Sequence, residues 1–315
     1  MSGGGREWPM TADDGHRSRR ADEDPSRPGV EQLHRLRAAC GLRRAACGYS
    51  VRMSEDFSVD AYTPKQMAAR LEQFSVAKAA LPLLPLALLG VLAGAFIGLG
   101  SLLFALVASD ASLGFAASRF LGGLVFSLGL ILVVVAGAEL FTGNNLLAMA
   151  WADGRVSTGQ VLRNWGVVCV ANFVGASGLA LLVFWSGHTA MNGGAVGEAV
   201  LRIASAKLAL PWHEALLRGV LCNLLVCMAV WMTLAGRSVT DKLLAIVFPI
   251  TGFVAAGFEH SIANMYFLPL AALLGAPIGA AGMAANLVPV IAGNLIGGSV
   301  LVAGVYWVIY VRPAR

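Results

Sequence analysis

Long stretches without a charged side chain constrain this sequence more than any other feature. They cover residues 79–109, 120–138, 164–197, 219–236 and 260–311. A helix needs about 20 apolar residues to cross the hydrocarbon core of a bilayer, and most of these runs reach that length. The last is long enough for two segments, with a break near GAPIGAAG at 275–282. A mean hydropathy of +0.71, with 57% hydrophobic and 13% charged residues, excludes a soluble globular domain. Six segments are expected, roughly at 80–107, 119–150, 160–186, 214–235, 242–272 and 285–311. The fold class is an all-α polytopic membrane protein.

The formal charge of +5 is no sign of nucleic-acid binding, because the basic residues sit at segment ends. Arg155, Arg163, Arg237, Lys242, Arg312 and Arg315 fall on one side, together with Lys65, Arg70 and Lys78 before the first segment. Arg119, Arg202 and Lys207 fall on the other. The positive-inside rule then places both termini in the cytoplasm, as an even number of spans requires. The five cysteines give no disulfide framework, and no metal site or cofactor is expected from their spacing.

Residues 1–52 differ from the rest. They hold ten arginines, no lysine and seven acids, with interruptions such as DEDPSRPG. That composition reads as a disordered basic extension, and the ordinary N-terminal look of the sequence from Met53 suggests translation starting there. The other reading is a genuine basic tail near the membrane surface. Residues 53–78 read as a cytoplasmic amphipathic helix, and 79–315 as the six-helix domain.

An internal repeat organises that domain. GAELFTGNN (137–145) and GFEHSIANM (257–265) share Gly-x-Glu and an Asn five residues after the Glu, which pairs Glu139/Asn144 with Glu259/Asn264. NFVGASGLALLVFW (172–185) and NLIGGSVLVAGVYW (294–307) share Asn-x-x-Gly-x-Ser and a Trp thirteen residues on. The offsets, 120 and 122 residues, are collinear, although segments one and four match poorly. Units at about 79–186 and 207–311 each hold three spans, and an odd number inverts the second unit in the membrane. The polar motifs then mark breaks in the second and fifth helices. Irregular backbone is tolerated at membrane depth only where protein or a wet cavity surrounds it.

An ionisable residue inside a span is a functional candidate by default. Glu139 and Glu259 occupy equivalent positions, which favours a scaffold role at the breaks over proton transfer. His260 has no twin, since Leu140 stands in its place. It reads either as a switch for a proton-linked solute or as a ring bonded to a nearby carbonyl. Thr142 faces it from the first break. Lys207 is an anion lure or a solvated interfacial lysine. Asn223 and Asn294 are helix–helix glue or pore lining. Phe126, Leu130 and Phe253 are a hydrophobic constriction or ordinary core. No phosphate-cradling loop, nucleophile elbow or metal-ligand spacing is present in the sequence.

On GAELFTGNNL, LCNLLVCMAVWM, GFEHSIANMYFLP and GNLIGGSVLV the chain resembles the formate/nitrite transporter family, over essentially all of 57–315. The resemblance implies a homopentamer of aquaporin-like protomers, each with its own pore, in a bacterial-type inner membrane. It implies passage of formate, or of nitrite, acetate, lactate or hydrosulfide, with protons and without a cofactor. Carried over by motif, His260 is the central histidine and Thr142 the threonine facing it. Lys207 is the vestibule lysine, Asn223 and Asn294 the pore-associated asparagines, and Phe126, Leu130 and Phe253 the constrictions. The wording of the fifth-helix motif is closest to the formate-type branch. Two other classes compete. A neutral-solute channel like an aquaporin lacks its paired NPA motifs here, and an intramembrane enzyme built on Glu259-His260 lacks a nucleophile or metal.

Overall fold

The structure, a computed structural model, describes residues 61–314, and the described residues form helices joined by turns and short loops. The expectations for residues 1–52 and for a start at Met53 lie outside the described residues. Helix α1 (Pro64–Ala79) begins where Thr63 and Gln66 close a capping box, with Pro64 ideally placed in the first turn. It buries Met67, Ala68 and Leu71, together with Glu72 and Ser75.

Among the described residues, six helices are long and apolar enough to cross a membrane. They are α2 (Leu83–Ala108), α3 (Phe115–Gly137), α5 (Thr158–Trp185), α7 (Trp212–Thr233), α8 (Val239–Ala256) and α10 (Ala280–Val311). Between them lie α4 (141–152, a run of short helical turns), α6 (Ala195–Leu208) and α9 (Ser261–Leu273). The second and fifth spans are therefore each broken, α3 giving way to α4 and α8 to α9. Extended backbone separates the halves, with Ala138 and Leu140 in one break and His260 in the other.

The two halves of the sequence form the same structure in inverted orientation, and the duplication reaches further than the sequence shows. Helices α1 and α6 each lead into the first span of a repeat, and each carries a lysine near its end, Lys78 and Lys207. Packing is equally paired: α2 lies against α5, α7 against α10, and α3 against α8. The close approaches rest on glycine. A Cβ on Gly175 would lie 1.9 Å from the carbonyl oxygen of Val91, and one on Gly297 would lie 2.3 Å from that of Val220. Both are far inside van der Waals contact, so the missing side chains let the helix backbones touch.

Outward faces of the spans carry Leu84, Phe120, Leu182, Phe248, Val288 and Val305, all exposed in the isolated protomer. In water such a surface would drive association or aggregation. In a bilayer it is the surface that lipid tails or neighbouring protomers cover.

Candidate functional site

Each break leaves backbone N–H and C=O groups without helical partners, at a depth where an unmet group costs several kcal/mol. One asparagine answers each break. Asn172 Oδ1 accepts from the Phe141 N–H at 2.8 Å, while its Nδ2 donates to Gly90 O at 2.7 Å and Glu139 O at 3.0 Å. In the other repeat Asn294 Oδ1 accepts from the Ser261 N–H at 3.0 Å, and its Nδ2 donates to Gly219 O at 2.8 Å and Glu259 O at 3.1 Å. The chain at each break is thus tied to the first span of its own repeat. Both half-helices α4 and α9 then begin inside the protein, with their positive dipole ends buried.

The carboxylates are held in the same duplicated way. Glu139 accepts from Lys78 Nζ at 2.7 Å and from Asn144 Nδ2 at 2.7 Å, and Asn144 reaches on to Asn164 Oδ1. Glu259 accepts from Lys207 Nζ at 3.0 and 3.1 Å and from Asn264 Nδ2 at 2.7 Å, and Asn264 reaches on to Asn286 Oδ1. Asn286 closes this loop by donating to Lys207 O. A buried carboxylate without a cation would be far costlier than one paired and hydrogen-bonded. Lys78, Asn164 and Asn286 were not among the sequence candidates. The repeat carries the signal for Asn164 and Asn286, which lie 122 residues apart, whereas Lys78 falls outside its register.

His260 and Thr142 meet between the breaks. Thr142 Oγ1 lies 3.2 Å from His260 Nε2, and both residues are buried. The other ring nitrogen caps α9: Nδ1 accepts from the Ala263 N–H at 3.2 Å. A nitrogen that accepts carries no proton, so this pattern assigns the neutral tautomer with its hydrogen on Nε2, donating to Thr142. Phe253 stacks on the imidazole with ring centroids 5.8 Å apart, and Phe126 meets Phe253 edge-on at 5.7 Å. The carbonyl of Thr142 accepts from Asn223 Nδ2 at 3.2 Å, and Asn223 also donates to Asn294 O at 2.7 Å. Asn223 therefore ties the two breaks together.

On the Lys207 side a cavity of about 320 Å³ runs from Arg202 and Leu210 at its rim to Phe126, Phe253 and His260 at its floor. Arg119, Lys207, Arg218 and Glu259 line it as well. Of the sequence candidates, His260, Lys207, Phe126, Phe253 and Glu259 come together on this cavity. Thr142 sits behind His260. Leu130, Asn223 and Asn294 are buried off the cavity wall, Leu130 in the core one turn beyond Phe126. Among the described residues no cluster of His, Cys, Asp or Glu has metal-site geometry.

Known proteins match this chain in both sequence and fold. Residues 65–308 fit the family model described as formate/nitrite transporter. The chain belongs to the formate/nitrite transporter family. Within it, the chain is 39% identical over 280 residues to the formate channel FocA of Escherichia coli K12, an alignment covering 82% of this chain and 98% of that protein. It is 38% identical over 278 residues to a probable formate transporter of Methanothermobacter thermautotrophicus, covering 82% and 100%. A solved structure described as a pentameric formate channel with formate bound superposes with a TM-score of 0.67 at 37% identity, covering 72% of this chain and 97% of that one. Another, described as an FNT family ion channel, gives 0.71 at 31% identity, covering 77% and 98%. Family membership makes this a multi-pass membrane transport protein, and the aquaporin-like protomer is the family fold.

Proposed function

We propose that the protein is a formate channel or transporter of a bacterial-type inner membrane, working as a homopentamer with both termini in the cytoplasm. The observation that carries the reading is the position of His260, at the floor of a cation-rich cavity and in contact with Thr142 across the two helix breaks. Formate-named relatives at 36–39% identity support formate over nitrite and the other small anions of the family.

Formate enters the cavity past Lys207, drawn by the cations that line it. Phe126 and Phe253 form a dry floor, and moving an isolated anion past it carries a desolvation cost of tens of kcal/mol in the idealised limit. Neutral formic acid passes at far lower cost. A neutral imidazole with its hydrogen on Nε2 donates a hydrogen bond but holds no labile excess proton. Proton-linked passage therefore requires a proton to arrive at Nδ1, which means releasing the Ala263 N–H from that nitrogen. The cap of α9 and the protonation of His260 compete for one lone pair. Asn223 and Asn294 serve the pathway by holding both breaks in register, while Glu139, Glu259, Asn144 and Asn264 hold the lysines.

The test is radiolabelled formate uptake by proteoliposomes at external pH 5.5 and 7.5, competed with nitrite, lactate and hydrosulfide, for the native protein and His260→Asn. Native uptake should rise as external pH falls, and the asparagine variant, which still offers an oxygen to the Ala263 N–H, should lose that dependence. Unchanged pH dependence, with no added current, would sink the protonation reading. Stronger uptake of nitrite than of formate would replace formate as the substrate.

A further inference from the structure

We infer that Arg119, rather than Lys207, supplies the uncompensated positive charge that recruits the anion, an inference that rests on the anion-transport reading above. Four cations line the cavity: Arg119, Arg202, Lys207 and Arg218. Three are in ion pairs. Lys207 Nζ holds both oxygens of Glu259 at 3.0 and 3.1 Å, so that buried pair is neutral as a unit. Arg218 pairs with Glu214 at 2.8 Å in a half-buried position and Arg202 with Glu198 at 3.7 Å on the exposed rim. Arg119 is the one of the four with no ion pair among the described residues.

Its hydrogen bonds go to carbonyls instead. Nε donates to Ala255 O at 3.1 Å and Nη2 to Val254 O at 2.5 Å, in the last turn of α8. The guanidinium also lies 5.7 Å from the centre of the Phe104 ring. Gly257, at φ +74°, leaves the space: a Cβ there would sit 3.0 Å from Nη2. The partners are significant because α8 ends at the break, so the negative end of its dipole faces the cavity. Left bare, those carbonyls would repel an anion at the point where the path narrows. Arg119 covers them and leaves a net positive charge, since a carbonyl dipole does not neutralise a guanidinium. Glu259 acts on Arg119 through space, but both its oxygens are already held by Lys207.

In the first repeat the corresponding end of α3, residues 135–137, is exposed.

The experiment compares native protein, Arg119→Gln and Arg119→Lys in proteoliposomes, measuring formate and nitrite uptake kinetics at about 0.01 M and about 0.5 M ionic strength, where the screening length falls from about 30 Å to a few ångströms. Loss of the charge should raise the half-saturation concentration roughly tenfold at low salt, with the difference shrinking to about twofold at high salt. Lysine keeps the charge but not the two-pronged grip, so Arg119→Lys should stay within about twofold of native with native-like salt dependence. Native-like kinetics for Arg119→Gln at both salts overturns the inference. So does equal, salt-independent impairment of both variants, which would make the arginine a helix cap alone. Should the glutamine variant not assemble, the lysine variant decides by itself, since loss of its salt dependence is fatal to the inference. Native protein that carries nitrite but not formate defeats the formate reading and leaves the Arg119 comparison intact.

Discussion

His260 spends one nitrogen on the backbone of α9 and the other on Thr142, so its place is fixed by hydrogen bonds at both edges of the ring. Glu259, its neighbour in sequence, points to different partners and belongs to the Lys207 network. Adjacent in the chain, the two residues are separate in role. Lys207→Met tests the network. It leaves Glu259, which is 4% exposed, without its cation, and breaking a buried pair by removing one member costs about 3–5 kcal/mol. The variant should lose thermal stability in detergent by that order and carry little formate. Adding Glu259→Gln to it should restore most of the stability, as read by a fluorescence melt. If the double variant melts no higher than the single one, the pair does not hold the fold in the way described.

At the scale of elements, the breaks depend on one asparagine each. Asn172→Ala and Asn294→Ala each orphan a half-helix N–H and the carbonyl of Glu139 or Glu259 beside it, at roughly 1–3 kcal/mol per buried group. Each should lower the melting temperature markedly, and by similar amounts because the partners are the same in both repeats. Helix α1 behaves differently because it lies outside the spans. Burial pushes the Glu72 carboxyl up from its ordinary 4.5, Asp153 adds to the rise, and Arg155 opposes it. A raised acid binds its proton more tightly in the docked helix than in the undocked one. Docking of α1 therefore strengthens as pH falls from neutral through the raised value and levels off below 4.5. Hydrogen exchange over residues 64–79, corrected for intrinsic rates, should show more protection at pH 5.5 than at 7.5. Glu72→Gln should flatten that difference, and exchange in the native protein that does not respond to pH would refute it.

For the whole molecule, the exposed leucines, phenylalanines and valines on the outer faces of the spans cannot all face water, and proteins solved with this fold include a pentamer. Native mass spectrometry from lipid nanodiscs should give five copies as the dominant species. A monomer under those conditions would mean that lipid alone covers those faces. Glycine contacts such as Gly175 on Val91 and Gly297 on Val220 lie inside each protomer, so they bear on its folding rather than on assembly.

Much of this architecture was fixed by sequence alone, because a bilayer leaves a chain few options. Charge-free runs of about 20 residues must be helices that satisfy their own backbone, which set the six spans. Polar motifs inside such runs, repeated at 120 and 122 residues, had to be breaks, and this located Glu139, Glu259, Thr142 and His260. Tertiary structure alone decided which charges cancel. Nothing in the linear pattern joins Lys78 to Glu139 or Lys207 to Glu259. Arg119 reads along the chain as a charge at the start of a span. Only the fold brings it to the carbonyls of Val254 and Ala255, some 135 residues away, because electrostatic balance depends on distances through space that sequence order does not encode.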